Sequence, residues 1–177
     1  MREKRGLDYL TYGAAVAALY CALSLVLPML SFGAVQMRFG EALTVLPAVS
    51  SVFILPLTLG CALTNTIGFF MGTNPFFFDI LIGSTATLIA AYLSWALRNI
   101  KLFKLPLLSF FMPVIVNAFI IGGELSFIQT GGFTFTAFLL NSASVGLGQL
   151  VPCMLLGPAL YLGLNKYKKY IGFLDRQ

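Results

Sequence analysis

Long apolar stretches, separated by short polar or charged segments, run through the chain from about residue 9 to residue 164. A stretch of about 20 apolar residues is long enough to cross the hydrocarbon core of a bilayer as an α-helix. The pattern therefore predicts an all-α integral membrane protein, a bundle of six transmembrane helices that forms a single domain over residues 1–177. We place the helices at about residues 9–30, 41–55, 57–72, 79–97, 106–124 and 135–164.

The second and third of these helices share one apolar stretch, which we divide near Pro56. About 31 residues must cross twice, which gives roughly 23 Å per helix and falls short of a ~30 Å hydrocarbon core. One long kinked helix is the alternative. Charge favours two crossings, because six helices then place both termini and every Lys and Arg except Arg38 on the cytoplasmic side.

Composition supports a membrane location and narrows the chemistry. Hydrophobic residues make up 59% of the 177 and charged residues only 10%, which leaves more apolar surface than a soluble domain can bury. Lipid is therefore the expected solvent. The chain has no histidine and no Walker A motif, so we expect neither an enzyme nor a metal or cofactor site. Its net charge of +5 comes from basic residues near helix ends, so we expect no nucleic-acid partner.

The first candidate binding group lies in a charged segment between apolar stretches and consists of Gln36, Arg38 and Glu41. Charge is rare and costly in a membrane protein, so it often marks the place where a ligand or an ion binds. Glu41 would accept hydrogen bonds from an N–H-rich ligand edge, and Gln36 and Arg38 would donate to ligand acceptors. The alternative is an exposed Arg–Glu pair on a wet loop, worth about 0–1 kcal/mol.

Asn117 and Glu124 form a second candidate group on the predicted fifth helix. Seven residues separate them, so they lie on one helix face about two turns apart, with Glu124 near the outer end. In the functional interpretation they form one wall of a ligand pocket. In the structural alternatives Asn117 joins two helices by a hydrogen bond, and Glu124 is an interfacial carboxylate.

Further polar and aromatic candidates surround the start of the fourth helix. For Asp79, the first residue of that helix, we favour a helix-capping role over a ligand contact. Phe76 and Phe77 would stack on a planar ligand or belong to an interfacial aromatic belt. Asn65 and Gln149 are polar groups at membrane depth, where such side chains more often join helices than contact ligands.

Ala14, Ala18 and Ala22 recur at every fourth residue of the first helix and form a smooth strip. Strips of small residues let another helix approach closely. That helix can belong to this chain or to another protein, and the pattern alone does not decide between them.

Three segments together resemble the QueT family over nearly the whole chain. They are residues 35–47 (VQMRFGEALTVLP), residues 79–91 (DILIGSTATLIAA), and Val116-Asn117-Ala118 with Gly123-Glu124. Proteins of that family are the substrate-binding S components of energy-coupling factor (ECF) transporters. The resemblance implies an S-component fold in the cell membrane of a prokaryote. It also implies capture of a queuosine precursor from outside, a 7-deazaguanine such as queuine or its 7-cyano or 7-aminomethyl relatives.

The same resemblance implies partners and a set of site residues. The partners would be a transmembrane coupling subunit and two cytoplasmic ATPases, with the strip of Ala14, Ala18 and Ala22 as the docking surface for the coupling subunit. The substrate-binding residues would be Gln36, Arg38, Glu41, Asn65, Phe76, Phe77, Asp79, Asn117, Glu124 and Gln149.

Two positions depart from the family pattern. Gly40 stands where serine is expected, a change that we interpret as one of loop flexibility, and Gln149 stands where glutamate is expected, which would alter ligand preference. Three other functions stay open: an S component for another vitamin-like ligand, a self-sufficient proton-coupled secondary transporter, and a structural subunit without a ligand.

Overall fold

The computed structural model describes residues 2–33 and 35–167, a chain of helices joined by turns and irregular connections. The α-helices are α1 (Arg2–Leu25), α2 (Pro28–Ser31), α3 (Ile54–Phe70), α4 (Asp79–Ala96), α5 (Leu107–Thr130), α6 (Phe135–Leu150) and α7 (Gly157–Tyr167). A 3₁₀ helix covers Phe39–Ala48, a second short one covers Ser51–Phe53, and a π-helical turn, Val151–Leu156, joins α6 to α7. No β-strand occurs among the described residues, so the prediction of an all-α protein is confirmed.

Four helical segments of the described chain are long and apolar enough to cross a membrane. They are Ser51–Phe70, Asp79–Ala96, Leu107–Thr130 and Phe135–Lys166, and two apolar helices, Tyr9–Leu25 and Phe39–Ala48, are shorter. The chain is therefore a helical membrane protein, whereas six crossings and cytoplasmic termini stay predictions. Residues 168–177, which carry part of the predicted cytoplasmic charge, lie outside the described residues.

Helix boundaries differ from the sequence interpretation at two places that matter for the site. The break before α3 lies at Ser50, whose extended backbone and hydroxyl, which accepts from the Val52 N–H, start a new helix. Pro56 instead falls in the first turn of α3, where a missing N–H costs no hydrogen bond. Helix α5 continues to Thr130, six residues beyond the predicted end, and stops at Gly131 with a left-handed φ of 64°.

The Phe39–Ala48 3₁₀ helix lies at the centre of the bundle. Nine of its ten residues are buried, and it packs against α1, α4, α5, α7 and the π-helical turn. At about 2.0 Å per residue it is about 20 Å long, which is shorter than a bilayer core of ~30 Å. Since all its faces are covered by protein, this segment needs no lipid-facing stripe.

Gly40 lets this central helix approach α1 closely. A Cβ atom at residue 40 would lie 2.7 Å from the carbonyl oxygen of Tyr20 and closer still to the hydroxyl of Ser24. Real Cβ atoms do not make such contacts, so the small residue is required for packing. The interpretation of Gly40 as a matter of loop flexibility is wrong, because the residue is buried against α1.

Short connections join α3 to α4, α4 to α5 and α5 to α6, so neighbouring helices run antiparallel. The ends of α3 and α5 therefore lie at the same end of the bundle as the starts of α4 and α6. The segment before the central 3₁₀ helix reaches this end too, since the Phe32 ring lies where a Cβ of Gly68 in α3 would point. Under the positive-inside interpretation this is the outer end of the protein.

Candidate functional site

A cluster of buried polar and charged side chains lies at this end of the bundle. Arg38, Glu41 and Asp79 are only 3%, 1% and 4% exposed, and Asn65 and Asn117 are buried beside them. Taking charges out of water is costly unless each is paired or hydrogen-bonded. The hydrogen bonds and ion pairs inside the cluster therefore indicate which polar groups the protein itself satisfies and which remain available to a ligand.

Arg38 is held by three contacts at once. Its Nη2 lies 3.0 Å from Oδ2 of Asp79, and its Nε donates to the carbonyl oxygen of Ser31 at 3.1 Å. The guanidinium also lies over the Phe32 ring, 5.1 Å from the centroid. The alternative of an exposed Arg38–Glu41 pair is wrong, since both side chains are buried and the ion-pair partner of Arg38 is Asp79.

Asp79 connects the segment before the 3₁₀ helix with the loop that precedes α4. Its Oδ2 accepts from Nδ2 of Asn74 at 2.8 Å as well as from Arg38, and its carbonyl oxygen accepts from Nδ2 of Asn65 at 2.7 Å. Gly83, one turn later, leaves room for this contact, because a Cβ there would lie 2.5 Å from the Asn65 amide nitrogen. The interpretation of Asp79 as a helix cap is wrong, because Phe78 is the N-cap of α4 and the hydrogen-bond donors to the Asp79 carboxylate are side chains. Asp79 nevertheless lies in the first turn of α4, where the helix dipole favours a negative charge.

Glu41 is supported from α1 and faces α5. The Tyr20 hydroxyl donates to Oε1 of Glu41 at 2.5 Å, and the side chain of Asn117 lies near the same carboxylate. Tyr20 is fully buried, on the face of α1 opposite the alanine strip. Sequence reasoning missed Tyr20, although its spacing from the buried Ala17 and Ser24 identifies the inward face of α1.

Asn117 and Glu124 lie on one face of α5, as their spacing predicts, and each meets a different carboxylate. Asn117 lies near Glu41, whereas the half-buried Glu124 lies near Asp79. Because α5 continues to Thr130, Glu124 is about 9 Å from the helix end. It therefore lies beside the polar cluster, with one side-chain oxygen, Oε1, buried.

Gln36 and Gln149 meet where α6 packs against the charged segment. The Gln149 amide donates to the carbonyl oxygen of Gln36 at 3.2 Å, and both residues are buried. Gly148 allows the contact, since a Cβ there would lie 2.9 Å from the same carbonyl oxygen. Gln149 therefore holds the backbone of the charged segment in place.

The two candidate aromatic residues occupy different places. Phe76 is half-buried and packs against the apolar core between α4 and α5, while its N–H donates to the side chain of Asn74. Phe77 is 56% exposed, and its ring contacts those of Phe69 and Phe78 in edge-to-face geometry. The structure brings Phe76 beside the polar cluster but directs the ring of Phe77 towards other aromatic rings at the surface.

Four buried acceptor oxygens of the cluster have no hydrogen-bond donor among the described residues. They are Glu41 Oε2, Asn65 Oδ1, Asp79 Oδ1 and Glu124 Oε1. A buried polar atom without a partner costs about 1–3 kcal/mol, and more when it is charged. The cluster is thus rich in unused acceptors, and a ligand that presents several N–H groups would satisfy them.

Comparison with known proteins connects this site to a family. A family model described as QueT transporter matches residues 10–166 of the chain. The "Queuosine precursor transporter QueT" of Lactococcus lactis subsp. cremoris (strain MG1363) is 28% identical over 161 residues, which cover 84% of this chain and 87% of the relative. No solved structure matches the chain significantly.

Proposed function

The chain belongs to the QueT transporter family, and on this premise we propose that it is the S component of an ECF importer, which captures a queuosine precursor of the 7-deazaguanine class from outside the cell. Family membership identifies a multi-pass transporter of the cell membrane, and it confirms the predictions that the chain is not an enzyme and resembles this family. The S-component role, the ligand and the site residues are the proposal.

The observation that supports this ligand class is the set of unused acceptor oxygens in the buried cluster. A 7-deazaguanine presents N1–H and the exocyclic amine along one edge and a pyrrole N–H on the other ring. Glu41 offers a carboxylate whose Oε1 is oriented by Tyr20 and whose Oε2 has no donor. That carboxylate can accept both groups of the first edge, and Asn117 lies beside it to contact the ring carbonyl.

Calorimetric titration of the detergent-purified chain tests the ligand. We expect queuine and the 7-aminomethyl and 7-cyano 7-deazaguanines to bind at least about 100-fold more tightly than adenine, which has no N1–H donor to match the carboxylate. Riboflavin serves as a control for an unrelated vitamin. Equal affinity for adenine, or tight binding of riboflavin alone, would support an S component for another ligand.

Uptake driven by a pH gradient in proteoliposomes that contain only this chain would support the proton-coupled alternative.

Ligand entry requires movement of the connections that cover the cluster. Gly72 and Gly131 adopt left-handed φ values of 71° and 64° at the starts of the connections after α3 and α5. Glycine adopts this conformation without steric cost, so each is a suitable pivot for a loop that opens and closes over the ligand.

The alanine strip supports the proposed partner. Ala14, Ala18 and Ala22 are all exposed on α1, on the side away from the buried Tyr20. An apolar groove of about 420 Å³ between α1 and α3 begins beside Ala14. A smooth strip next to a groove suits a transmembrane helix of the coupling subunit, which would approach α1 closely there.

We expect the Ala18→Trp variant to lose assembly with the coupling subunit and the ATPases while ligand affinity stays within about two-fold, because the added indole blocks close helix approach far from the polar cluster. Co-purification of the complex from membranes measures assembly, and calorimetry measures binding. Ala143→Trp is the matched control, since Ala143 is exposed on α6. If the Ala18 variant assembled as well as the control, the docking surface would lie elsewhere.

A further inference from the structure

We propose that an anionic phospholipid of the inner leaflet binds beside the connection between α4 and α5, with an acyl chain in an apolar groove and its phosphate group at Lys101 and Lys104. This connection joins the end of α4 to the start of α5, so it lies at the end of the bundle opposite the polar cluster. The inference goes beyond the proposed function, because it concerns a second site with a different partner.

The connection between α4 and α5 exposes large apolar side chains. Residues 99–104 are all exposed, and the exposed fractions of Phe103, Leu102 and Ile100 are 87%, 60% and 54%. Removal of such apolar surface from water is favourable. Because the connection joins two membrane-spanning helices, it lies at the bilayer interface, where lipid can cover these side chains.

A costly backbone conformation holds two of the exposed residues at the tip of a tight turn. Leu102 and Leu105 exchange two backbone hydrogen bonds, of 2.8 and 3.0 Å, and the residues between them, Phe103 and Lys104, have left-handed φ values of 52° and 67°. Positive φ at both central positions is typical of a type I′ turn, which favours asparagine and glycine. A Cβ atom makes this conformation costly, so phenylalanine and lysine at the tip indicate a role for their side chains beyond chain reversal.

An apolar groove of about 390 Å³ lies beside this turn. It is lined by large apolar side chains: Ile100, Leu102, Leu107, Leu108, Phe111 and Met154. Its volume is in the range of small-molecule sites, about 300–1,000 Å³. Close approach of another helix requires small residues, which this lining lacks. A flexible hydrocarbon chain can follow such an uneven surface, so the groove suits an acyl chain.

Positive charge accompanies the groove. Lys101 and Lys104 are exposed and have no hydrogen-bond or ion-pair partner among the described residues, and Lys101 directly precedes Leu102 of the groove. The sequence has no acidic residue between Asp79 and Glu124, and both of these lie towards the other end of the bundle. Under the positive-inside interpretation the two lysines face the leaflet that carries anionic lipids. Charge complementarity therefore favours an anionic phospholipid over a zwitterionic one, and the groove favours a lipid over a soluble anion.

Native mass spectrometry of the detergent-purified full chain, titrated with phosphatidylglycerol or phosphatidylcholine of identical acyl chains, tests the headgroup preference. We expect the first phosphatidylglycerol to bind about 10-fold more tightly than the first phosphatidylcholine. In the Lys101→Gln/Lys104→Gln variant this preference should fall to about two-fold or less. The matched control, Lys4→Gln/Arg5→Gln, removes two positive charges from the start of α1 and should keep the wild-type preference.

The Leu108→Trp variant tests the groove separately from the charge. The added indole fills part of the groove while both lysines remain, so we expect affinity for phosphatidylglycerol to fall about 10-fold, the effect of roughly two methylene groups that are no longer buried. Leu88→Trp is the matched control, since Leu88 is exposed on α4 and does not line the groove. It should bind phosphatidylglycerol as the wild type does.

Equal affinity of the wild-type chain for the two lipids would overturn the proposal, and this comparison needs no variant. An unchanged preference in the double lysine variant would overturn the assignment of the phosphate group. Wild-type affinity in Leu108→Trp would overturn the groove and leave only attraction at the surface. If the double lysine variant kept its lipid preference but lost the coupling subunit on co-purification, the turn would be a protein contact instead. Failure of every 7-deazaguanine to bind would overturn the proposed function and leave this lipid site standing.

Discussion

The Glu41→Gln variant is expected to lose at least about 100-fold in affinity for a 7-deazaguanine and to remain folded. The side-chain carbonyl oxygen of the new amide can still accept from Tyr20, so the contact with α1 is kept. The second carboxylate oxygen, which has no donor, becomes an amide nitrogen that presents its own hydrogens to the ligand N–H groups. Loss of two charge-assisted hydrogen bonds at about 1.5–3 kcal/mol each accounts for an effect of this size.

Calorimetry measures the affinity of this variant, and thermal unfolding in detergent checks its fold. Tyr20→Phe is an informative companion, because it leaves the carboxylate in place and removes only the hydroxyl that orients it. We expect its loss of affinity to be smaller, about 10-fold or less. Wild-type affinity in the Glu41→Gln variant would show that the donor edge of the ligand binds at another carboxylate.

Arg38→Met is the second change with a large expected effect, this time on stability. It leaves Asp79 buried without its cation, and breaking a buried ion pair from one side costs about 3–5 kcal/mol. The double variant Arg38→Met/Asp79→Leu removes both charges, so it should recover most of that stability but not ligand binding. Thermal unfolding of the purified variants measures the first effect, and calorimetry measures the second.

Arg98→Met is the matched control for the loss of an arginine. Arg98 lies over the ring of Trp95, 4.7 Å from its centroid, and pairs with no carboxylate among the described residues. Its replacement should cost less than about 1 kcal/mol. If the double variant were as unstable as Arg38→Met alone, the ion pair would not be the reason for the loss.

The helices around the site could be predicted from the length of apolar runs, but the central one could not. Long apolar stretches predicted α3, α4, α5 and α6, because the thickness of a bilayer sets the length of a helix that crosses it. The Phe39–Ala48 segment is buried on all sides, so it shows no polar face from which a helical period could be read. Its central position depends on close packing, which includes the contact of Gly40 with α1.

The scarcity of charged residues identified the principal members of the cluster but did not show which of them form ion pairs. Arg38, Glu41 and Glu124 are noticeable in an apolar chain, and all three lie together in the fold. Their nearness in sequence suggested an Arg38–Glu41 pair, whereas the fold joins Arg38 to Asp79, 41 residues later. Tyr20 looked like one more apolar residue of a helix, since a hydroxyl becomes informative only when its acceptor is known.

The long sequence separation within the ion pair also has a consequence for biosynthesis. A ribosome that adds 5–20 residues per second needs roughly 2–8 s to proceed from Arg38 to Asp79. During this interval the arginine has no counter-charge, and placing it alone at the centre of a bilayer costs about 2.5–3.5 kcal/mol. We expect the arginine to wait at the water interface until α4 enters the membrane, so that the 3₁₀ helix takes its central place late, between helices that are already inserted.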